Sequence, residues 1–218
     1  VPKPSYNRNF YKNRRQITQQ SAHLVLSLLW SDWEPSSVLD LGCATGTWLA
    51  ATDALGCSDY MGLDGPWVDK GMLEIPSRKF LAHDFSTKAF RPERKFDLAI
   101  SIEVAEHLTT EMGAALVGSL TDASDVILFS AAVPGQGGKG HLNEQRQSYW
   151  GAQFAKHGYT AIDYFRPTLW DEANVNVIYK QNMFLYVAKS RLPLAGINSP
   201  IVDTSYEFDR VHPDLLTL

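Results

Sequence analysis

The sequence predicts an α/β protein built on a doubly wound sheet, and three observations carry that expectation. Apolar strand-like runs alternate with helical ones along most of the chain, the pattern of a mostly parallel sheet covered by helices. The run VLDLGCATGTW, residues 38–48, joins an apolar strand to a glycine-bearing turn and then to a helix. Acidic residues recur where successive strands end, at Asp40, Asp64 and Asp84. The 218 residues suffice for one domain with a single core, and a hydrophobic content of 44% is ordinary for a globular protein.

Taken in order, residues 18–30 read as an amphipathic helix with Ala22, Leu24, Val25, Leu28 and Leu29 near one face. Val38, Leu39 and Leu41 form the first strand, and a helix follows the glycine turn and runs on through residues 49–55. Residues 60–63 and 79–82 are short strands, the first ending at Asp64 and Gly65, the second at His83 and Asp84. FDLAIS, residues 96–101, is a buried strand, residues 112–120 the next helix, and VILFSA, residues 126–131, the most apolar strand. Residues 149–156 read as helical, and 160–165 and 184–188 as the last two strands, seven in all. There is no internal repeat and no linker that would split the domain. The expected organisation is a domain over residues 1–190, including an N-terminal lid helix, and a tail over 191–218, rich in proline and polar residues, that wraps the surface or reaches a partner.

Bulk properties exclude several functions. A formal charge of −4 and a pI near 5.9 leave no overall basic footprint for nucleic acid. No apolar run is long enough to cross a bilayer, and the first residues lack the hydrophobic segment of a signal peptide. With 2 cysteines, Cys43 and Cys57, there is no disulfide framework, and a reducing cytoplasm is the expected setting.

The glycine turn has a charge argument of its own. Gly42 and Gly46 let backbone N–H groups approach a nucleotide-like ligand closely, but Asp40 stands two residues upstream, where its carboxylate would repel a phosphate and attract an ammonium or sulfonium. A nicotinamide dehydrogenase also uses a glycine turn followed by an acid. Its fingerprint is G-x-G-x-x-G, whereas the outer glycines here are four apart. Asp64, 24 residues after Asp40, is suited to bind two ribose hydroxyls with its two oxygens, although a helix cap or a turn would also use an aspartate.

The turn resembles motif I of class I S-adenosylmethionine (SAM) dependent methyltransferases, with Ala44 where that family often has a third glycine. FDLAISIEVAEHL, residues 96–108, resembles the fourth-strand motif of the same enzymes, a D-x-[VIL] strand followed by E-x-x-E-H. The resemblance implies a Rossmann-like sheet of seven strands with a last antiparallel strand, and SAM as methyl donor. It implies a cofactor set of Asp40, Gly42, Cys43, Ala44, Gly46 and Trp48 around the turn, Asp64 and Gly65 at the ribose, and Asp84 and Phe85 at the adenine. Ser101 and Glu103 would lie beneath the methyl group, and Tyr11, with Tyr6, would close the pocket as lid residues. Trp67 is a further candidate to cover the adenine or to pack in the core.

Beyond the cofactor, Glu106 and His107 follow the fourth strand and are candidates for chemistry, with His107 as a base that Glu106 orients. The segment GQGGKGHLNEQ, residues 135–145, follows the fifth strand and would overhang the transfer pocket. His141 is the first choice of general base, sharing a proton with Glu144, and Asn143 and Gln145 would clamp the acceptor. This block resembles a group of small bacterial methyltransferases. Residues 166–182 are an insertion expected to form a second wall with Trp170, Tyr179 and Gln181, where Arg166 and Lys180 would suit an anionic acceptor. Glu103, Glu106, His107 and His141 also match the residue types with which small-RNA 2′-O-methyltransferases bind a divalent ion. The His spacing differs and a basic groove is lacking, so no metal is expected.

The expectation is therefore a monomeric or homodimeric cytoplasmic enzyme that methylates a small polar acceptor, an oxygen of a sugar or natural-product intermediate, without nucleic acid or membrane partners. N-methylation of a small amine, a metal-dependent RNA 2′-O-methyltransferase-like enzyme and a SAM-binding subunit without turnover are the alternatives.

Overall fold

The computed structural model describes residues 8–202 and 205–217, with the side chains of residues 8–15, 205, 206, 216 and 217 outside the description. Helix α1 (Arg8–Asp32) leads into β1 (Ser37–Leu41), α2 (Thr47–Ala54), β2 (Asp59–Asp64), β3 (Phe80–Ala82) and β4 (Leu98–Ile102). Then come a 3-10 turn at Ala105–His107, α3 (Thr110–Ala123), β5 (Val126–Ser130), α4 (Gln147–Lys156), β6 (Tyr159–Ile162), α5 (Arg166–Leu169) and α6 (Val177–Asn182). β7 (Phe184–Ala188), β8 (Ile201–Val202) and α7 (Ser205–Phe208) complete the elements that matter here.

The sheet order is β3-β2-β1-β4-β5-β7-β6-β8. β1 to β5 pair in parallel, and β7 runs antiparallel between β5 and β6. This is the doubly wound, mostly parallel arrangement that the alternating pattern predicts. The period of two sorts the core. Val38, Leu98, Ile100, Val126 and Leu128 face the layer that includes α1 and α2, where Leu26 and Leu29 are fully buried. Leu39, Leu41, Ala99, Ile127 and Phe129 face the opposite layer of α3 and α4, with Leu116, Leu120, Trp150 and Phe154. Burying each such leucine contributes roughly 1.5–3 kcal/mol.

Two elements differ from the sequence reading. The helix expected at residues 18–30 begins at Arg8, continuous with the segment expected as a lid helix; Tyr11 lies in it with its side chain outside the described residues, and Tyr6 lies outside them altogether. The sheet has eight strands rather than seven, because Ile201 and Val202 pair with Ile162 and Ala161 of β6. A two-residue strand has too little alternation to be read from sequence. Among the described residues, no helix is long and apolar enough to cross a membrane.

The strand order reverses between β1 and β4, and a crevice for ligands opens at the carboxyl ends of strands on either side of such a reversal. Asp40, Asp64 and Glu103 all lie at or just beyond those ends.

Candidate active site

The turn after β1 is held by backbone and carboxylate together. The N–H groups of Gly42 and Cys43 donate to the Leu63 carbonyl at 2.8 and 3.0 Å. Gly42 has φ +95°, and a Cβ there would collide with Val104, so the segment after β4 lies against the turn. Ala44 sits at φ +49°, a left-handed conformation that costs a non-glycine residue roughly 1–2 kcal/mol. Its N–H donates to Oδ2 of Asp64 at 2.7 Å, while Gly65 N–H donates to Oδ1 at 2.6 Å. Asp64 thus holds the strained turn open, and each oxygen keeps a second lone pair. Burial raises its carboxyl above the usual range, against those two donors.

Asp40 is 2% exposed, and its Oδ2 has no hydrogen-bond partner. Burial first, and then the charge of Asp64, push its carboxyl well above the ordinary value. A carboxyl raised in the fold supports stability fully below its unfolded value near 4, and that support is lost as the pH rises through the folded value. The ligand-free protein is therefore expected to melt higher at mildly acidic pH than at about pH 7.5. Asp40→Asn should flatten this dependence and raise the neutral melting temperature by roughly 2–4 °C, about 1 kcal/mol at this chain length. Calorimetry across the pH range checks this, and a destabilised Asp40→Asn protein at neutral pH would refute it.

The second half of the site forms where the loop after β5 folds back over the 3-10 turn. The main-chain oxygen of Glu106 accepts from the N–H groups of Leu142 and Asn143 at 2.7 and 3.0 Å. Glu144 spans the glycine loop, accepting from Gly135 and Gly137 N–H at 2.8 and 3.0 Å. At Gly137, φ is +70°, which favours glycine. Burial alone would raise the Glu144 carboxyl, but the His141 hydrogen bond and these N–H donors hold it below the usual range. Nδ1 of His141 lies 2.7 Å from Oε1 of Glu144. A carboxylate partner there takes the ring hydrogen on Nδ1 and leaves Nε2 as the acceptor. The ring rests on Gly138, where a Cβ would fall 2.2 Å from Nε2.

His107 meets His141 edge to face, with ring centroids 4.8 Å apart. One ligand atom from each of Glu106, His107 and His141 lies within 4.8 Å of the others, so the three residues named for chemistry converge. Glu106 is 1% exposed and its Oε2 has no hydrogen-bond partner. Burial and the charge of Glu103 raise its carboxyl well above the ordinary range.

Other sequence-predicted residues take structural work. Ser101 is fully buried and donates to the Leu41 carbonyl at 2.8 Å, tying β4 to β1. Phe85 is buried in the core with Leu39 and Leu63 and meets His83 edge to face. Trp48 is buried against Tyr179, with ring centroids 5.5 Å apart. Cys43 turns its sulfur towards Gly62. Asp84 accepts from the N–H and hydroxyl of Ser86. Trp67 is 41% exposed and lies over Gly65, beside Asp64.

The two cations of the insertion, Arg166 and Lys180, are held inside the fold rather than presented to an acceptor. Arg166 is 2% exposed, makes a two-pronged ion pair with Asp163 at 2.8 and 2.9 Å, and donates to the carbonyls of Glu207 and Phe208. Lys180 is 5% exposed and donates to the Glu172 carbonyl. Both cations are committed inside the fold.

A methyltransferase-domain family matches residues 11–164. The chain belongs to that family. No curated protein matches it. This methyltransferase-family chain is similar to the sugar N-methyltransferase KedS8 from Streptoalloteichus sp., with 15% identity, TM-score 0.64, and 86% of this chain and 94% of that one covered. It is also similar to DesVI from Streptomyces venezuelae, with 18% identity, TM-score 0.58 and coverage of 82% and 95%. A third similar structure is SAM-bound CalS10, an amino pentose methyltransferase from Micromonospora echinaspora, with 15% identity, TM-score 0.57 and coverage of 87% and 100%.

Two polar residues bonded to Glu103 were not legible in the sequence. Gln136 and Asn182 both donate to Glu103, at 2.8 and 3.2 Å. Gln136 sits unremarked among glycines, and the only local signal for Asn182 is a carboxamide pair, Gln181 and Asn182, directly before the last long strand.

Proposed function

We propose that this chain transfers a methyl group from SAM to a hydroxyl oxygen of a small, polar, sugar-like acceptor. The observation that carries the reading is the convergence of His107, His141 and Glu106 on a segment packed against the cofactor turn. SAM supplies an electrophilic methyl group beside a positive sulfonium. The residues present fit it: Asp40 offers a buried oxygen without a partner to a cationic group, and Asp64 keeps lone pairs for a ribose diol. His141 takes the acceptor's proton on Nε2 while Glu144 steadies the imidazolium, and His107 lines the same space.

A sugar-like acceptor draws support from KedS8 and CalS10, described as a sugar N-methyltransferase and an amino pentose methyltransferase. Oxygen is favoured over nitrogen because an amine with a free lone pair needs placement more than a base, and a histidine braced by a carboxylate is a base. With Arg166 and Lys180 committed elsewhere, the acceptor is uncharged or basic rather than anionic. A screen of hydroxylated and amine-bearing sugars with SAM, reading release of S-adenosylhomocysteine, tests this. Methylation of hydroxylated sugars is expected, and methylation confined to amines would turn the reading to nitrogen.

One observation favours a second reading. The unpartnered Oε2 of Glu106, with His107 and His141, offers donors of the kind that hold a divalent cation. Dialysis against EDTA separates the two. Direct proton transfer to His141 expects unchanged turnover of the acceptor found, whereas a sharp loss restored by Mg²⁺ or Mn²⁺ would replace it with a metal-assisted route.

A further inference from the structure

Residues 207–212 are bonded into the site, and the direction of every hydrogen bond between them and Glu103 can be deduced. The starting point is the main-chain N–H of His212, which can only donate. It lies 2.6 Å from the Gln181 side chain, which must therefore present Oε1. Gln181 is 0% exposed, and its other end, now the NH2, donates to Oδ1 of Asn182 at 2.8 Å. Asn182 must then turn its own NH2 away, and it donates to Oε1 of Glu103 at 3.2 Å and to Oε1 of Gln136 at 2.9 Å.

The opposite end gives the same answer independently. The N–H of Val133 approaches the Gln136 side chain at 3.3 Å and requires an oxygen there, so the Gln136 NH2 donates to Oε2 of Glu103 at 2.8 Å. Two main-chain N–H groups, one on each side, thus aim side-chain donors at one carboxylate. Glu103 itself is held at φ +55°, with its N–H on the carbonyl of Ser130. Surrounded by donors, Glu103 is confined to accepting, and the groups it can accept next are the O–H or N–H donors of a bound molecule.

We infer that Gln181 and Asn182 are positioning residues, and that the C-terminal segment through His212 belongs to the active site, fixing Glu103 as a hydrogen-bond acceptor for the substrate. The anchoring is not confined to one bond. Asp209 accepts from the N–H and hydroxyl of Ser148 at the start of α4, and the His212 ring bonds the Trp170 carbonyl at 2.9 Å. Phe208 packs on Gly151 and lies 5.2 Å from Phe184, ring centroid to centroid. The segment therefore arrives at Gln181 with little freedom to choose another partner.

A double-mutant cycle on the full chain tests the inference, read by the titration of Glu103 in ¹³C NMR of glutamate-labelled protein and assigned with Glu103→Gln. Gln181 has no bond to Glu103, so Gln181→Leu should act only by releasing Asn182, raising the Glu103 titration midpoint by about one pH unit. In an Asn182→Leu background the same change should add nothing. An unmoved midpoint, or two shifts that simply add, would overturn the inference. Should Gln181→Leu fail to fold, the same cycle run with Gln181→Glu keeps an acceptor for the His212 N–H. There the direct effect of the new charge is measured in the Asn182→Leu background and subtracted. With an acceptor in hand, kcat/KM should fall about tenfold with SAM affinity within about twofold, a split that general loosening of the fold would not give. The place of Glu103 beside the transfer centre rests on the function proposed above. Failure of SAM to bind while Glu103 titrates as expected would sink that function and leave the positioning chain standing.

Discussion

Asp64→Ala is expected to remove nearly all of the thermal stabilisation that SAM gives. At a SAM concentration of about 100 times Kd, a ligand that binds only the folded state adds about 2.7 kcal/mol. For a chain of this length that is a rise of roughly 5–10 °C in melting temperature. The variant loses two things together. It loses the lone pairs offered to a ribose diol, and it loses the acceptor that holds the N–H of Ala44, a residue kept at φ +49° by its surroundings. Asp64→Asn separates them, because an amide keeps one oxygen for a backbone N–H but turns an NH2 towards the other. It should retain more of the ligand-free stability than alanine and still lose most of the SAM gain. The comparison ligand is NADH. Equal rises from SAM and NADH in the wild-type protein would sink the assignment of this turn to SAM and favour a dehydrogenase.

His141→Ala should cut turnover by about 10²–10⁴-fold, the range that a positioned general base contributes, while SAM affinity stays close to wild type. The geometry behind this is the 2.7 Å contact with Glu144, which assigns the ring's hydrogen to Nδ1 and leaves Nε2 to receive a proton. Glu144 has a second duty, because the N–H groups of Gly135 and Gly137 rest on its carboxylate. Glu144→Ala should therefore loosen the loop as well as weaken the base, whereas His141→Ala leaves the loop's carboxylate bonds in place. Stopped assays at saturating SAM measure the effect once an acceptor is known. Unchanged turnover in His141→Ala would reduce His141 to scaffolding and move the question of the base to His107.

The features legible in the sequence share a physical basis: their signal is local. Asp40 and Asp64 close apolar strands beside glycines, and the charge of Asp40 is informative whatever the rest of the chain does. His107 and Glu106 fall within a few residues of β4, and His141 and Glu144 lie one turn apart in the loop after β5, so spacing places them on the carboxyl side of the sheet. What the sequence could not supply is where a side chain's partner comes from. Arg166 and Lys180 look like surface or substrate-binding cations until the carbonyls of Glu207, Phe208 and Glu172 are found against them. Ser101 follows a strand signal, and only the fold shows its hydroxyl on the carbonyl of Leu41.

By itself, then, the sequence determined a doubly wound sheet, the turn that follows its first strand, and the order of acids and histidines along the strand ends. Periodicity and charge act over a few residues, and they survive being read in one dimension. Only the tertiary structure decided that His107 and His141 meet, that residues after 200 add a strand, and that the direction of the hydrogen bonds around Glu103 begins at a main-chain N–H in His212. Those facts depend on contacts between residues far apart in the chain. No local pattern encodes such pairings, because a carboxamide or a guanidinium looks the same in sequence whichever partner the fold brings to it.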